Sequence, residues 1–135
     1  MAYKDYLNWT PIKSKINNVH LSNNKSHHTR IRAREIYWIH FGENIGQEQD
    51  GKSELFTRPG VVLKTYGLNL LTVLPLTTNK KNDRFHFAFD IEGVVSSAIL
   101  SQIRSIDSAR VGTKIGKMDS MIFTSMKAKL ANLLF

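Results

Sequence analysis

The sequence predicts a small, mainly β chain of the α+β class. Five or six short strands form a barrel or twisted sheet, a helix closes the C-terminal end, and a short extra helix precedes the strands. Three observations predict it. Runs rich in aromatic and β-branched residues recur through the middle of the chain, one with clean two-residue alternation. Near residue 119 the apolar spacing lengthens to three or four residues, the helical period. The chain has 135 residues, the size of one domain with one modest core.

The elements follow in order. Thr10-Pro11 reads as an N-cap with proline in the first helical turn. Ile12, Ile16 and Val19 continue at helical spacing, so a short amphipathic helix is expected over about 11–21. SNNKSHHTRIRAR is polar and basic and reads as a linker or surface arm. EIYWIHF (35–41) is the first strand. Tyr37 and Trp38 point to opposite faces, so one is core and the other exposed, and His40 is expected buried and hydrogen-bonded. GVVLKTY (60–66) and NLLTVLPLTT (69–78) are a second and third strand, joined by a turn at Gly67-Leu68-Asn69. RFHFAFDI (84–91) alternates, with Phe85, Phe87 and Phe89 on one face and Arg84, His86, Ala88 and Asp90 on the other. SAILSQIRSI (97–106) reads as one fifth strand and ARVGTKI as a short sixth. Asp119 or Ser120 caps a final helix whose Ile122, Met126, Leu130 and Leu133 share a face.

Composition narrows the function. Nineteen Lys and Arg oppose eleven Asp and Glu, a formal net charge of +8. Such a surplus favours an anionic partner: RNA, DNA, an acidic protein or a membrane surface. The absence of cysteine excludes disulfides, thiolate zinc sites and cysteine catalysis. No apolar run is long enough to span a bilayer and MAYKDYLNWT lacks a signal-peptide core, so a soluble, cytoplasmic protein is expected. The five histidines show no metal-ligand spacing, and the glycines form no phosphate-binding loop. Neither a metal nor a cofactor is expected.

Candidate site residues emerge at strand ends. Pro59 biases Arg58 toward extended backbone, and proline is tolerated at the first residue of a strand. The Arg58 guanidinium is thus fixed on a stiff base at the end of the polar loop NIGQEQDGKSELF. Arginine is always charged and grips phosphate with a planar fork. Thr77-Thr78 ends the third strand. Threonine there is ordinary and gains weight only beside a cation. His86 and Arg84 lie on the polar face of the fourth strand. They are either wet surface residues or part of a groove that holds bases.

Three ordered blocks carry a resemblance. EIYWIHFGENIGQEQDGKSELFTRPGVVLK, LTVLPLTT and AILSQIRSID resemble the MazF/PemK (Kid) toxins of type II toxin–antitoxin systems. The first matches the family's aromatic strand, Gly-x-Glu-Gln loop and Arg-Pro. The second matches its apolar-Pro-apolar-Thr-[Thr/Ser] block, and the third its Gln-x-Arg-[Ser/Thr]-[Ile/Leu]-Asp block. The acidic loop and the wording LSQIRSIDSARV look most like a subgroup from Gram-positive bacteria and their phages that carries an extra N-terminal segment. The resemblance implies an SH3-like barrel of five to seven strands with a C-terminal helix, usually a homodimer. It implies a metal-independent endoribonuclease (an mRNA interferase) acting on single-stranded RNA. It also implies a cognate antitoxin with a disordered, acidic tail. The family's catalytic Arg falls on Arg58, its catalytic Thr on Thr77 and its loop Glu on Glu48. Gln49, Lys52, Thr78, Lys80, Arg84, His86 and Gln102 are the expected RNA contacts. Two positions depart from the Kid-like branch: Gln47 replaces a His, and Ser101 replaces an acidic residue. Neither a histidine base at the loop nor an Arg/Asp pair on the fifth strand is therefore implied; His86, Gln102 and Glu48 are the residues left to compensate, and the general base stays open. A non-catalytic RNA- or antitoxin-binding module is the alternative. The resemblance covers roughly 34–135 and leaves 1–33 as an N-terminal extension, whose helix either packs on the barrel through its apolar stripe or leads a basic arm that extends the RNA groove.

Overall fold

The computed structural model describes residues 9, 11–14, 16, 31–42, 57–79, 83–91 and 93–135. Seven antiparallel strands and one long helix make up the body. They are β1 (Glu35–His40), β2 (Thr57–Thr65), β3 (Leu70–Thr77), β4 (His86–Ile91), β5 (Val94–Ile99), β6 (Arg104–Asp107), β7 (Val111–Lys117) and α1 (Ser120–Leu134). The strand order is β4-β5-β3-β2-β1-β7, with β6 also beside β3. The mainly β class with a C-terminal helix is the one expected. The sheet does not close into a barrel: among the described residues, β4 and β7 are the two ends of the hydrogen-bonded path.

Two expected elements are corrected. The run 97–106 is not one strand. A 3₁₀ turn at Leu100–Gln102 divides it into the end of β5 and the start of β6. β3 dictates the break, because it serves both pieces. Its N-terminal half, Leu70–Val73, pairs with β6, while Leu76 and Thr77 pair with β5. Pro75 falls between these two ladders, so neither β5 nor β6 pairs with it. Likewise β2 begins at Thr57, three residues before the expected start at Gly60, so Pro59 is inside the strand. Pairing with β3 starts only at Gly60↔Pro75, one residue beyond Pro59.

The central strands bury both faces. Ile36, Val61, Leu74 and Leu76 pack on one side with Phe89, Ala98, Leu100 and Met118, and with Phe123, Met126 and Leu130 of α1. Tyr37, Ile39, Phe41, Val62, Leu71, Val73, Ile106 and Val111 form a second core on the other side. Asp119 caps α1, its carboxylate accepting from the Met121 and Ile122 N–H groups at 3.0 and 3.3 Å. Phe123, absent from the expected stripe, is buried, whereas Ile122 and Leu133 are only partly so.

Residues 9, 11–14 and 16 belong to the N-terminal helix; the rest of the expected 11–21 segment lies outside the described residues. Trp9 is buried, and its ring covers Gly42, where an added Cβ would stand 2.1 Å from the indole. Gly42 also has φ +76°, a conformation glycine adopts without strain. The Arg110 guanidinium lies 5.8 Å from the Trp9 ring centroid.

Glu35 is a buried carboxylate at the start of β1. It accepts hydrogen bonds from the Arg32 N–H (2.6 Å), the Tyr37 hydroxyl (3.1 Å) and the Lys114 ammonium (2.6 Å). Burial alone would raise its pKa, but Lys114, Arg32 and Tyr37 together hold it below the usual 4.5. Burial, then the Glu35 bond, pushes the Tyr37 hydroxyl up to about 12. A depressed carboxylate stabilises the fold above its unfolded-state value and loses that contribution as pH falls through the folded value. Thermal melts should therefore show wild-type stability falling on acidification below about pH 4.5, with a shallower acid limb in Glu35→Gln. At pH 7 the variant should lose about 1–3 kcal/mol, nearer the low end because Lys114 stands half in solvent.

Candidate active site

β1, β2 and β3 position the site through their register. Trp38 pairs with Pro59, Ile39 with Arg58 and His40 with Thr57. Gly60 pairs with Pro75, and the same register continued brings Arg58 level with Thr77. Thr77 in turn pairs with Ser97 of β5. Two residues distant in sequence thus meet because two extended strands run side by side.

Arg58 is 7% exposed. Its Nη1 donates to the Leu76 carbonyl at 3.2 Å, which fixes the guanidinium against β3. Around it lies a pocket of about 460 Å³ lined by Trp38, Thr57, Arg58, Pro59, Leu76, Thr77 and Thr78. That volume falls within the roughly 300–1,000 Å³ of small-ligand sites. The Thr77 hydroxyl accepts from the Asn79 N–H at 3.3 Å, which turns the chain at the pocket rim. Among the described residues this arrangement offers the permanent positive charge of Arg58, several hydroxyls and an apolar wall.

The expected site residues divide accordingly. Arg58, Thr77 and Thr78 come together. Arg84, His86 and Gln102 are not among the lining residues. Arg84 stacks over Phe85 at 4.7 Å. The His86 Nδ1 lies 2.7 Å from the Asp83 carboxylate, which the His86 bond chiefly holds below its usual pKa. Lys129 of α1 donates to the carbonyls of Asp83 and His86, tying the start of β4 to the helix rather than to the pocket. Gln102 is half-buried in the turn between β5 and β6. Glu48, Gln49, Lys52 and Lys80 lie outside the described residues. His40 is half-buried, not buried as expected; its carbonyl accepts from Arg110 at 3.1 Å.

Trp38, with Thr57 and Leu76, lines the pocket although residue-by-residue reading did not place it there. It is 44% exposed while Tyr37 is 7%. Alternation shows that the two differ, and only the packing of the second core shows which one faces water.

Fold and pocket together define a class: a small antiparallel sheet with a terminal helix that holds one strand-borne guanidinium beside paired hydroxyls. The chain belongs to the PemK-like, MazF-like toxins of type II toxin-antitoxin systems, whose family model matches residues 32–134. It is similar in structure to MazF from Deinococcus radiodurans, with 24% identity and a TM-score of 0.62 over 77% of this chain and 96% of that one. It is also similar to a mycobacterial endoribonuclease in complex with its cognate antitoxin, at 12% identity, TM-score 0.59, and coverage of 78% and 95%. The Mycobacterium tuberculosis toxin MazF-mt6 aligns at 16% identity with a TM-score of 0.57 over 75% and 96% of the two chains. No curated protein matches the chain. Among the described residues, no helix is long and apolar enough to cross a membrane.

Proposed function

We propose that this toxin is a sequence-specific, metal-independent endoribonuclease that cuts single-stranded mRNA at the Arg58 pocket. The observation that carries the reading is the convergence of the fixed Arg58 guanidinium with Thr77 and Thr78 where the start of β2 adjoins the end of β3. RNA supplies its own nucleophile. The 2′-oxygen bonds to phosphorus, the P–O5′ bond breaks, and the 2′-hydroxyl proton leaves through a base while O5′ gains one. The products are a 2′,3′-cyclic phosphate and a 5′-hydroxyl.

Arg58 stabilises the phosphorane and is the candidate proton donor to O5′. Its bond to the Leu76 carbonyl holds it in place before substrate arrives, so little reorganisation is needed. Thr77 hydrogen-bonds a phosphate oxygen or the ribose. Glu48 orients Arg58 or assists the base, since at its ordinary pKa a free glutamate is a weak base. A cognate antitoxin with an acidic tail would cover this cationic pocket, and the chain would act as a homodimer in the cytoplasm.

Incubation of the purified protein with a long single-stranded RNA in EDTA tests the reading. Discrete fragments are expected. Intact RNA that remains bound to protein would instead identify a non-catalytic binding module.

A further inference from the structure

The pocket has a wall that the chemistry above leaves unused. Trp38 is a large aromatic on the central strand β1, paired with Pro59 on one side of Arg58. Elsewhere on β1 the apolar side chains are buried: Ile36 and Ile39 are 0% exposed and Tyr37 7%. Trp38 alone among them is 44% exposed, and it faces the pocket that holds Arg58 and Thr77. Leaving an indole in water forgoes stabilisation that burial would supply, and the packing of β1 shows that this strand buries its other apolar residues.

We propose that Trp38 is the stacking platform for the nucleobase that flanks the attacked phosphate. The inference rests on the endoribonuclease reading and adds a base subsite to it. A nucleotide has a flat apolar ring joined to an anion. The pocket has the complement: an indole face with Pro59 and Leu76 beside it, and a guanidinium with hydroxyls next to them. Base–aromatic stacking tolerates every base and serves single strands, whose bases are free to splay out. The formal charge of +8 favours the same polyanionic partner. Because Trp38 and Arg58 sit on adjacent paired strands, a stacked base would fix the phosphate relative to the guanidinium. Stacking on a rigid strand thus positions the reacting bond, which loop contacts could then make sequence-specific.

The test compares Trp38→Leu, which keeps apolar bulk without a π face, with Trp38→Phe, which keeps a smaller one. Cleavage of a single-stranded RNA is followed together with binding of the same oligonucleotide carrying 2′-deoxyribose at the cleaved position, which holds the site without reacting. Trp38→Leu should raise the half-saturating concentration and the Kd of the deoxy-substituted strand roughly ten- to a hundredfold, with Trp38→Phe close to wild type. In a Trp9→Phe background, the remaining indole emission should be quenched as the deoxy-substituted strand binds; this readout needs no change at Trp38. Cleavage by wild type with no change in Trp38→Leu and no quenching would overturn the stacking role and leave the endoribonuclease reading intact. Absence of both cleavage and binding in wild type would overturn that reading and the inference with it. Weakened binding of an acidic peptide by Trp38→Leu, with RNA binding unchanged, would assign the wall to a protein partner and overturn the proposal.

Discussion

Arg58→Ala is expected to lower single-turnover cleavage of RNA by about 10²–10³-fold while the chain stays folded. The kinetic loss follows from removing a preorganised charge from the phosphorane. The structural cost is smaller. Arg58 is buried and donates to the Leu76 carbonyl at 3.2 Å, so truncation leaves that acceptor without this donor at a cost of about 1–3 kcal/mol. A domain with about 5–15 kcal/mol of stability survives this. Arg58→Lys keeps a charge but loses the planar fork, and should fall between the two. Rate and melting temperature measured on the same preparations separate the effects. An Arg58→Ala chain that no longer melts cooperatively would make the guanidinium structural.

Phe123→Ala should do the opposite: large loss of stability, little loss of intrinsic chemistry. Phe123 is 5% exposed and packs in the core between α1 and the sheet. Removing a buried aromatic ring costs about 3–5 kcal/mol through lost transfer energy and the cavity left behind. The same core contains Leu76, whose carbonyl anchors Arg58. At temperatures where the variant is folded, cleavage per folded molecule should stay within a few-fold of wild type. Chemical denaturation gives the first quantity. Active-site titration with the deoxy-substituted strand gives the second.

The two mutations also show what the sequence could disclose. RPGVVL and LPLTT each mark a strand end, with Arg58 just before Pro59 and Thr77 two residues after Pro75. Their meeting depends on register, which local propensity does not encode; the ordered blocks of the family resemblance supplied the link between Arg58 and Thr77. SAILSQIRSI has neither glycine nor proline to signal its break. The interruption arises because β3 pairs β5 with one half and β6 with the other, a tertiary demand. The orientation of Tyr37 and Trp38 was legible only as a difference, since β1 is buried on both faces along most of its length. In α1 the capping Asp119 and the apolar Met126 and Leu130 were legible. Phe123 was not, because a stripe started at Ile122 leaves its neighbour outside, while the helix buries a broader face. His86 and Arg84 alternate as polar residues in the expected strand 84–91, but β4 starts only at His86 and Arg84 lies in the turn before it; their partners are Asp83, Phe85 and Lys129, none of which lines the pocket.

The central claim is that RNA is cut by its own 2′-hydroxyl, with Arg58 stabilising the phosphorane. Mass spectrometry of the fragment ends made in EDTA tests it most directly, run on all-ribose RNA and on the strand with one 2′-deoxyribose at the cleaved nucleotide. The account predicts 2′,3′-cyclic phosphate and 5′-hydroxyl ends from the first and an intact second strand. Ends bearing 3′-hydroxyl and 5′-phosphate, or cleavage at the deoxy position, would contradict it.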